Sequence, residues 1–367
     1  MAMSLEFNSK ELKLQINDDA INLHPLWMRE RSKETSAVDQ ISMQRLYDPE
    51  EIETNLQFSD AKKINDDQII VRFSDQHEAR YSLKELFTEV NGYKDLPEKK
   101  LWDSSQINYE EFKFDYDSDP DPQLLKILEY YHKYGFAIVT NLKPLEGEII
   151  NFAERIGFIR ETNFGKTFDV KSKKQPNDLA YTSIGLGPHT DNPYRKPVPS
   201  IQFLFCVENS CVGGNSTLVD GFKVALDLKR ENPADFKNLL NTEILFKFVD
   251  RDVVLENSGN TIELGDNGDL KQVRFSNRLD FVPHQEPEKL EKYYESKRIF
   301  HKMINSQKYL INFRLPSGGL LIMDNYRLLH GRTSFNTSEG SRFLQGLYID
   351  HDSIESKYKI LKKKQNG

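Results

Sequence analysis

Apolar residues recur at every second position in two short stretches early in the chain. Glu11-Leu12-Lys13-Leu14-Gln15-Ile16 alternates strictly, and Gln68-Ile69-Ile70-Val71-Arg72-Phe73 is more continuously apolar. Both patterns predict β-strands. Leu124-Leu125-Lys126-Ile127-Leu128-Glu129-Tyr130-Tyr131 carries its apolar residues at helical spacing and predicts an amphipathic helix. Tyr134-Gly135 then turns the chain into Phe136-Ala137-Ile138-Val139, a buried strand. Residues 200–206 and 319–324 predict further strands. Residues 286–303 predict a helix with apolar positions at Leu290, Tyr293, Tyr294, Ile299 and Phe300.

Between these groups the periodicity lapses. Residues 102–122 are rich in Asp, Ser, Glu and aromatics and end in Asp117-Ser118-Asp119-Pro120-Asp121-Pro122, which reads as a linker or wrap-around arm. The chain therefore divides into a small N-terminal β-rich domain over 1–97, an arm over 98–122 and a larger domain over 123–367. No internal repeat or low-complexity segment is present. Short strands with a few helices predict a mainly β protein whose larger domain is a double-sheet jelly roll.

Composition narrows the function classes. A length of 367 residues suits one large domain, or a small and a large one. A net charge of −7 argues against a nucleic-acid partner, and the basic run at 359–364 reads as a solvated end. There is no run of 18 apolar residues, and Met1-Ala2-Met3-Ser4-Leu5-Glu6 is not a basic segment leading into an apolar one. Neither a membrane span nor a secretory signal is expected, and the cytoplasm is the expected compartment. Cys206 and Cys211 make neither a disulfide framework nor a zinc ligand set.

Against that background His189-Thr190-Asp191 stands out, answered 139 residues after Asp191 by His330. Residues two apart on an extended segment point to the same side. With one imidazole from a distant strand they make the two-His-one-carboxylate triad of non-haem Fe(II) oxygenases. A second candidate, His284-Gln285-Glu286, precedes a helical stretch and reads as helix-entry chemistry.

The surroundings of the first motif carry more. Asn177-Asp178-Leu179-Ala180-Tyr181-Thr182 precedes it. Gly213-Gly214-Asn215-Ser216-Thr217-Leu218-Val219-Asp220-Gly221, Asp324-Asn325-Tyr326-Arg327-Leu328-Leu329-His330-Gly331-Arg332 and Ser341-Arg342-Phe343-Leu344-Gln345-Gly346-Leu347-Tyr348 follow. From about residue 164 to 348 the chain resembles the γ-butyrobetaine and trimethyllysine dioxygenases. These belong to the taurine-dioxygenase superfamily of Fe(II)/2-oxoglutarate oxygenases, as do the related 2-trimethylaminoethylphosphonate hydroxylases. The resemblance implies a double-stranded β-helix, Fe(II) held by His189, Asp191 and His330, and 2-oxoglutarate and O2 as co-substrates. It places Arg342, twelve residues after His330, on the far carboxylate of 2-oxoglutarate with help from Thr217. Arg332 is the rival for that role.

The same resemblance implies hydroxylation of a small trimethylammonium zwitterion. Quaternary ammonium groups donate no hydrogen bonds and are recognised by aromatic faces. The family's cage falls on Phe164, Phe168, Tyr181 and Tyr348, with Asp178 beside it where some relatives carry Asn. The anionic end falls on Asn277 and Arg278. A carboxylate is served by Asn277 alone, whereas a phosphonate wants Arg278 as well; alternatively Arg278 pairs with Asp280. γ-Butyrobetaine is the leading substrate, 2-trimethylaminoethylphosphonate the second and trimethyllysine the third. The non-enzyme alternative is a metal-bound ligand sensor on an oxygenase scaffold, and the intact triad with Arg342 weighs against it. Finally, His24-Pro25-Leu26-Trp27-Met28-Arg29-Glu30-Arg31 resembles the family's small β domain. Ser32-Lys33-Glu34-Thr35-Ser36 lacks the cysteines that follow it in relatives, so no zinc is expected at His77. In relatives this domain supports dimerisation, which implies a homodimer.

Overall fold

The computed structural model describes residues 3–16, 19–92, 95–116, 120–171 and 182–366. The chain forms two compact units, Met1–Asp95 and Leu96–Gly367. In the first, Leu12–Ile16 pairs with Met3–Phe7 and Asp19–Leu23, and Gln68–Phe73 pairs with Phe58–Lys63 and Glu78–Ser82. Alternation sends Leu12, Leu14, Ile69, Val71 and Phe73 into one core.

The larger unit is layered, and its two central sheets are antiparallel apart from one parallel edge pair. One sheet runs Lys113–Asp115, Phe136–Thr140, Leu320–Asp324, Ile201–Asn209, Arg342–Ile349 and Phe168–Lys171; the first two of these strands are the parallel pair. The other runs Leu186–His189, Leu328–Arg332, Ser216–Asp220 and Ile311–Phe313. Phe136, Met323 and Leu344 from the first sheet pack with Leu218, Leu328 and Phe313 from the second, so the sheets face each other across one core. The outer face of the six-stranded sheet packs on the helices Pro120–Tyr134, Glu148–Glu154 and His351–Asn366. The four-stranded sheet packs on Gly221–Glu231, Pro233–Asn241 and Pro287–Ile304. Helices thus sheathe both faces, and the protein is mixed α/β with many strands rather than mainly β. Among the described residues no helix is long and apolar enough to cross a membrane.

The stretch that composition marks as an arm is largely built into the larger unit. Trp102 is fully buried, with its ring Nε1–H donating to Tyr134 O at 2.8 Å. Phe112 and Phe114 are buried as well, and Lys113–Asp115 is an edge strand. The helix begins at Pro120, inside the Asp/Pro run, while residues 117–119 lie outside the described residues. A few apolar anchors fix a polar stretch whose average composition hides them.

Period two decides what faces the interior at the centre. Along Ile201–Asn209, Ile201, Phe203 and Phe205 face the helices, which turns Gln202, Leu204 and Cys206 toward the space between the sheets.

Candidate active site

Leu186–His189 pairs with Leu328–Arg332 so that His189 lies opposite His330, with ring centroids 4.4 Å apart. Asp191 follows just past the strand end, and the fully buried Asn325 fixes its backbone. The Asp191 N–H donates to Asn325 Oδ1 at 2.8 Å, and Asn325 Nδ2 donates to Asp191 O at 3.0 Å and to Pro199 O at 2.8 Å. One ligand atom each from His189, Asp191 and His330 lie within 4.8 Å of one another. Asp191 Oδ1 is 3.4 Å from His189 Nε2 and 3.8 Å from His330 Nε2.

Electrostatics prepare these groups as ligands. Burial, then the neighbouring His189, pushes His330 down to about 3, so its imidazole is neutral. Burial pushes the Asp191 carboxyl up, but His330, His189 and the Tyr348 hydroxyl outweigh it and hold Asp191 well below the usual carboxylate range. His189 Nδ1 is 2.9 Å from Gly187 O; donating there leaves the Nε2 lone pair toward Asp191. Two imidazoles and an ionised carboxylate are a donor set that suits Fe(II). His284 and Glu286 are exposed, and Glu286 occupies the N-cap position of Pro287–Ile304.

The triad opens onto a cavity between the sheets. Arg342 lines it, buried, with Nε donating to Gly214 O at 3.1 Å and no carboxylate in ion-pairing range among the described residues. Gly214 has φ +68°, and a Cβ there would lie 2.8 Å from Arg342 Cδ, so this glycine makes the arginine's berth. Arg332 also reaches the cavity, but its Nη2 donates to Thr182 O at 2.6 Å and to Ile184 O at 3.2 Å. Thr217 is buried but not in the cavity wall. Its neighbour Ser216, opposite Arg332 in the sheet, supplies the hydroxyl there.

Phe164, Phe168 and Tyr348 line the cavity, the last two stacked at 5.2 Å, and Tyr194 joins them. The Arg195 guanidinium lies over the rings of Phe164 and Tyr194, at 5.7 and 5.6 Å. Tyr181 and Asp178 lie outside the described residues.

Of the two neighbours expected at the substrate's anionic end, the structure separates one from the other. Arg278 lines the cavity, whereas Asn277 is exposed and lines a different groove with Lys297 and His301. The reciprocal pair Thr190 N–H to Phe275 O, 2.9 Å, and Phe275 N–H to Thr190 Oγ1, 3.0 Å, anchors the segment that leads into their turn. Asp280, the alternative partner for Arg278, is held by Lys297 at 2.6 Å.

The sequence reading did not find Asn192, Tyr194, Gln202, Ser216 or Asn325. A signal existed for Gln202, a polar residue inside the apolar run 201–207, and for Asn192 and Tyr194, which directly continue the His-Thr-Asp motif.

Residues 93–348 match the family model described as taurine catabolism dioxygenase TauD, TfdA family. The γ-butyrobetaine dioxygenase of Pseudomonas sp. (strain AK-1) is 30% identical over 93% of this chain and 90% of its own length. The Homo sapiens γ-butyrobetaine dioxygenase is 32% identical over 80% and 75%. The mitochondrial trimethyllysine dioxygenase of Mus musculus is 27% identical over 95% and 85%. Among solved structures, a putative alpha-ketoglutarate-dependent taurine dioxygenase from Burkholderia xenovorans superposes with a TM-score of 0.50. It shares 12% identity over 69% of this chain and 91% of that one, a likeness of fold alone.

Proposed function

The chain belongs to the TauD/TfdA family of Fe(II)- and 2-oxoglutarate-dependent dioxygenases, and from that premise we propose that it hydroxylates 2-trimethylaminoethylphosphonate. γ-Butyrobetaine is the second reading, favoured by the relatives' names. The facing sheets are read as the double-stranded β-helix.

His189, Asp191 and His330 hold Fe(II), and Arg342 holds the far carboxylate of 2-oxoglutarate with the Ser216 hydroxyl on the same wall. Phe168 and Tyr348, with Phe164, Tyr194 and the expected Tyr181, receive the trimethylammonium group. When bound, Fe(II) and 2-oxoglutarate supply the oxidation: one atom of O2 goes to succinate as CO2 leaves, the other to a C–H of the substrate. The chain's own contribution is positioning and the exclusion of water. Arg278 and Asn192 meet the anionic end. Asn192 lines the cavity, and its buried Nδ2 lacks a hydrogen-bond partner among the described residues.

The observation that carries the phosphonate reading is the placement of Arg278 in the cavity wall with Asn277 outside it. A doubly charged, three-oxygen group uses a guanidinium and a carboxamide together, while a carboxylate needs less. The test is a panel of trimethylammonium compounds with Fe(II) and 2-oxoglutarate, read by mass spectrometry for a one-oxygen gain. The phosphonate should turn over best. Arg278→Ala should weaken it by about 2 kcal/mol, roughly thirtyfold, with Asn277→Ala nearly silent. Preferred turnover of γ-butyrobetaine with a silent Arg278→Ala would select the second reading. Equal turnover of unmethylated amines would remove the cage altogether.

A further inference from the structure

Asp191 has two carboxylate oxygens, and the structure treats them differently. Oδ1 is the one nearest His189 and His330. Oδ2 accepts two hydrogen bonds, from Gln202 Nε2 at 2.5 Å and from the Tyr348 hydroxyl at 2.8 Å. Gln202 and Tyr348 are directly opposite each other on the paired strands Ile201–Asn209 and Arg342–Ile349, so one register delivers both donors to one atom. Gln202 is 1% exposed in the middle of the six-stranded sheet, flanked by Ile201 and Phe203.

The amide's orientation follows from chemistry. A carboxylate only accepts, so the group on Oδ2 must be the NH2 and not the carbonyl. That leaves Gln202 Oε1, which is buried with no hydrogen-bond partner among the described residues. A buried amide placed for stability would have both ends satisfied, because an orphaned carbonyl is costly. Gln202 lines the cavity, and what fixes its amide is the NH2 end, held by Asp191.

We propose that Gln202 is a positioning residue for Asp191: with Tyr348 it occupies Oδ2, so that Oδ1 alone is offered beside His189 and His330. The carboxylate is thereby held as a one-oxygen ligand. The inference rests on the triad being the Fe(II) site. It assigns Gln202 no contact with substrate.

The experiment measures metal binding by the full chain without substrate, under anaerobic conditions, with Co(II) as the probe. Gln202→Met nearly preserves shape and removes the donor. It should weaken Co(II) affinity by about tenfold or more, the scale for a lost partner of a metal ligand, and change the visible Co(II) spectrum. The metal-free protein should still fold and melt close to the parent, because the shape of the side chain is nearly kept. Tyr348→Phe, which keeps the ring, should change the spectrum in the same sense. If Gln202→Met fails to fold, Gln202→Asn replaces it, keeping the amide but one methylene too short to reach Oδ2. Unchanged affinity and spectrum in the folded variant would overturn the proposal. So would a loss of affinity that only tracks a lower melting temperature. Asp191→Ala separates this from the underlying reading: if it too binds Co(II) normally, the triad assignment has failed rather than the role of Gln202.

Discussion

Asp191 carries more of the site than any other single residue, because it is a ligand, a hydrogen-bond acceptor and the point where Asn325 grips the backbone. Asp191→Ala should therefore lose most Fe(II) affinity and all hydroxylation, whereas His284→Ala, at an exposed position, should change little. Iron titration with succinate release measures both, and retained activity in Asp191→Ala would dismiss the triad. Arg342→Ala should raise the KM for 2-oxoglutarate by roughly tenfold or more while the substrate's KM moves far less; the same pattern in Arg332→Ala would reverse the two arginines. These residues were legible because the dyad is local and Arg342 follows His330 at a short spacing. Thr217 against Ser216, and Asn277 against Arg278, were not. The family motif pointed to Thr217 where Ser216 lines the cavity, because a shift of one along a strand turns a side chain to the other face. Asn277 and Arg278 were both expected at the substrate, but they lie in a turn, where periodicity does not say which of them faces inward. Only strand pairing sets that phase for Ser216 and Thr217, and the Thr190–Phe275 bonds anchor the segment that leads into the turn at Arg278.

At the scale of elements, the strand Arg342–Ile349 organises the cavity. Its alternate residues bring Arg342, Leu344 and Tyr348 to the wall, and Gly346 falls between the last two in the same row. Gly346 is opposite Phe168 in the neighbouring edge strand, and a Cβ added there would lie 2.3 Å from the Phe168 ring. The missing side chain is what lets Phe168 lie against the strand and stack on Tyr348. Gly346→Val should thus displace Phe168 and cost about 1–3 kcal/mol of stability, as overpacking does. The KM for the proposed trimethylammonium substrate should rise while that for 2-oxoglutarate holds. Adding Phe168→Ala should return the stability but not the affinity. A double variant no more stable than Gly346→Val would show that the conflict lies elsewhere. The strands Phe136–Thr140, Ile201–Asn209 and Leu320–Asp324 were readable from apolar runs, whereas Arg342–Ile349 was visible only as a motif. The edge strand Lys113–Asp115 was not readable, since three residues are too few to show a period.

At the scale of the whole molecule, what joins the segments of the larger unit is a buried ion pair. Arg327 and Asp220 are both fully buried, with Nη2 and Oδ2 2.7 Å apart. Arg327 also donates to Lys133 O at 2.9 Å and Lys100 O at 2.6 Å. Asp220 accepts from the Trp102 backbone N–H at 3.1 Å and caps the helix Gly221–Glu231 through Phe222 and Lys223. One pair thus ties the start of the unit, the end of Pro120–Tyr134, the strand that carries His330 and its neighbour Ser216–Asp220. Sequence showed the two residues inside recognisable motifs but not that they meet, because 107 positions separate them. Attraction in a buried pair is largely offset by desolvation, so its presence says little about net stability; removing one partner is another matter. Arg327→Met leaves a buried carboxylate without its cation and should cost about 3–5 kcal/mol. Asp220→Asn in the same background removes the stranded charge yet keeps an oxygen for the helix cap. The double variant should accordingly be more stable than Arg327→Met alone in denaturant unfolding. If it is equally or less stable, the carboxylate is not what the lost arginine had been neutralising, and the lost backbone contacts of Arg327 must account for the damage.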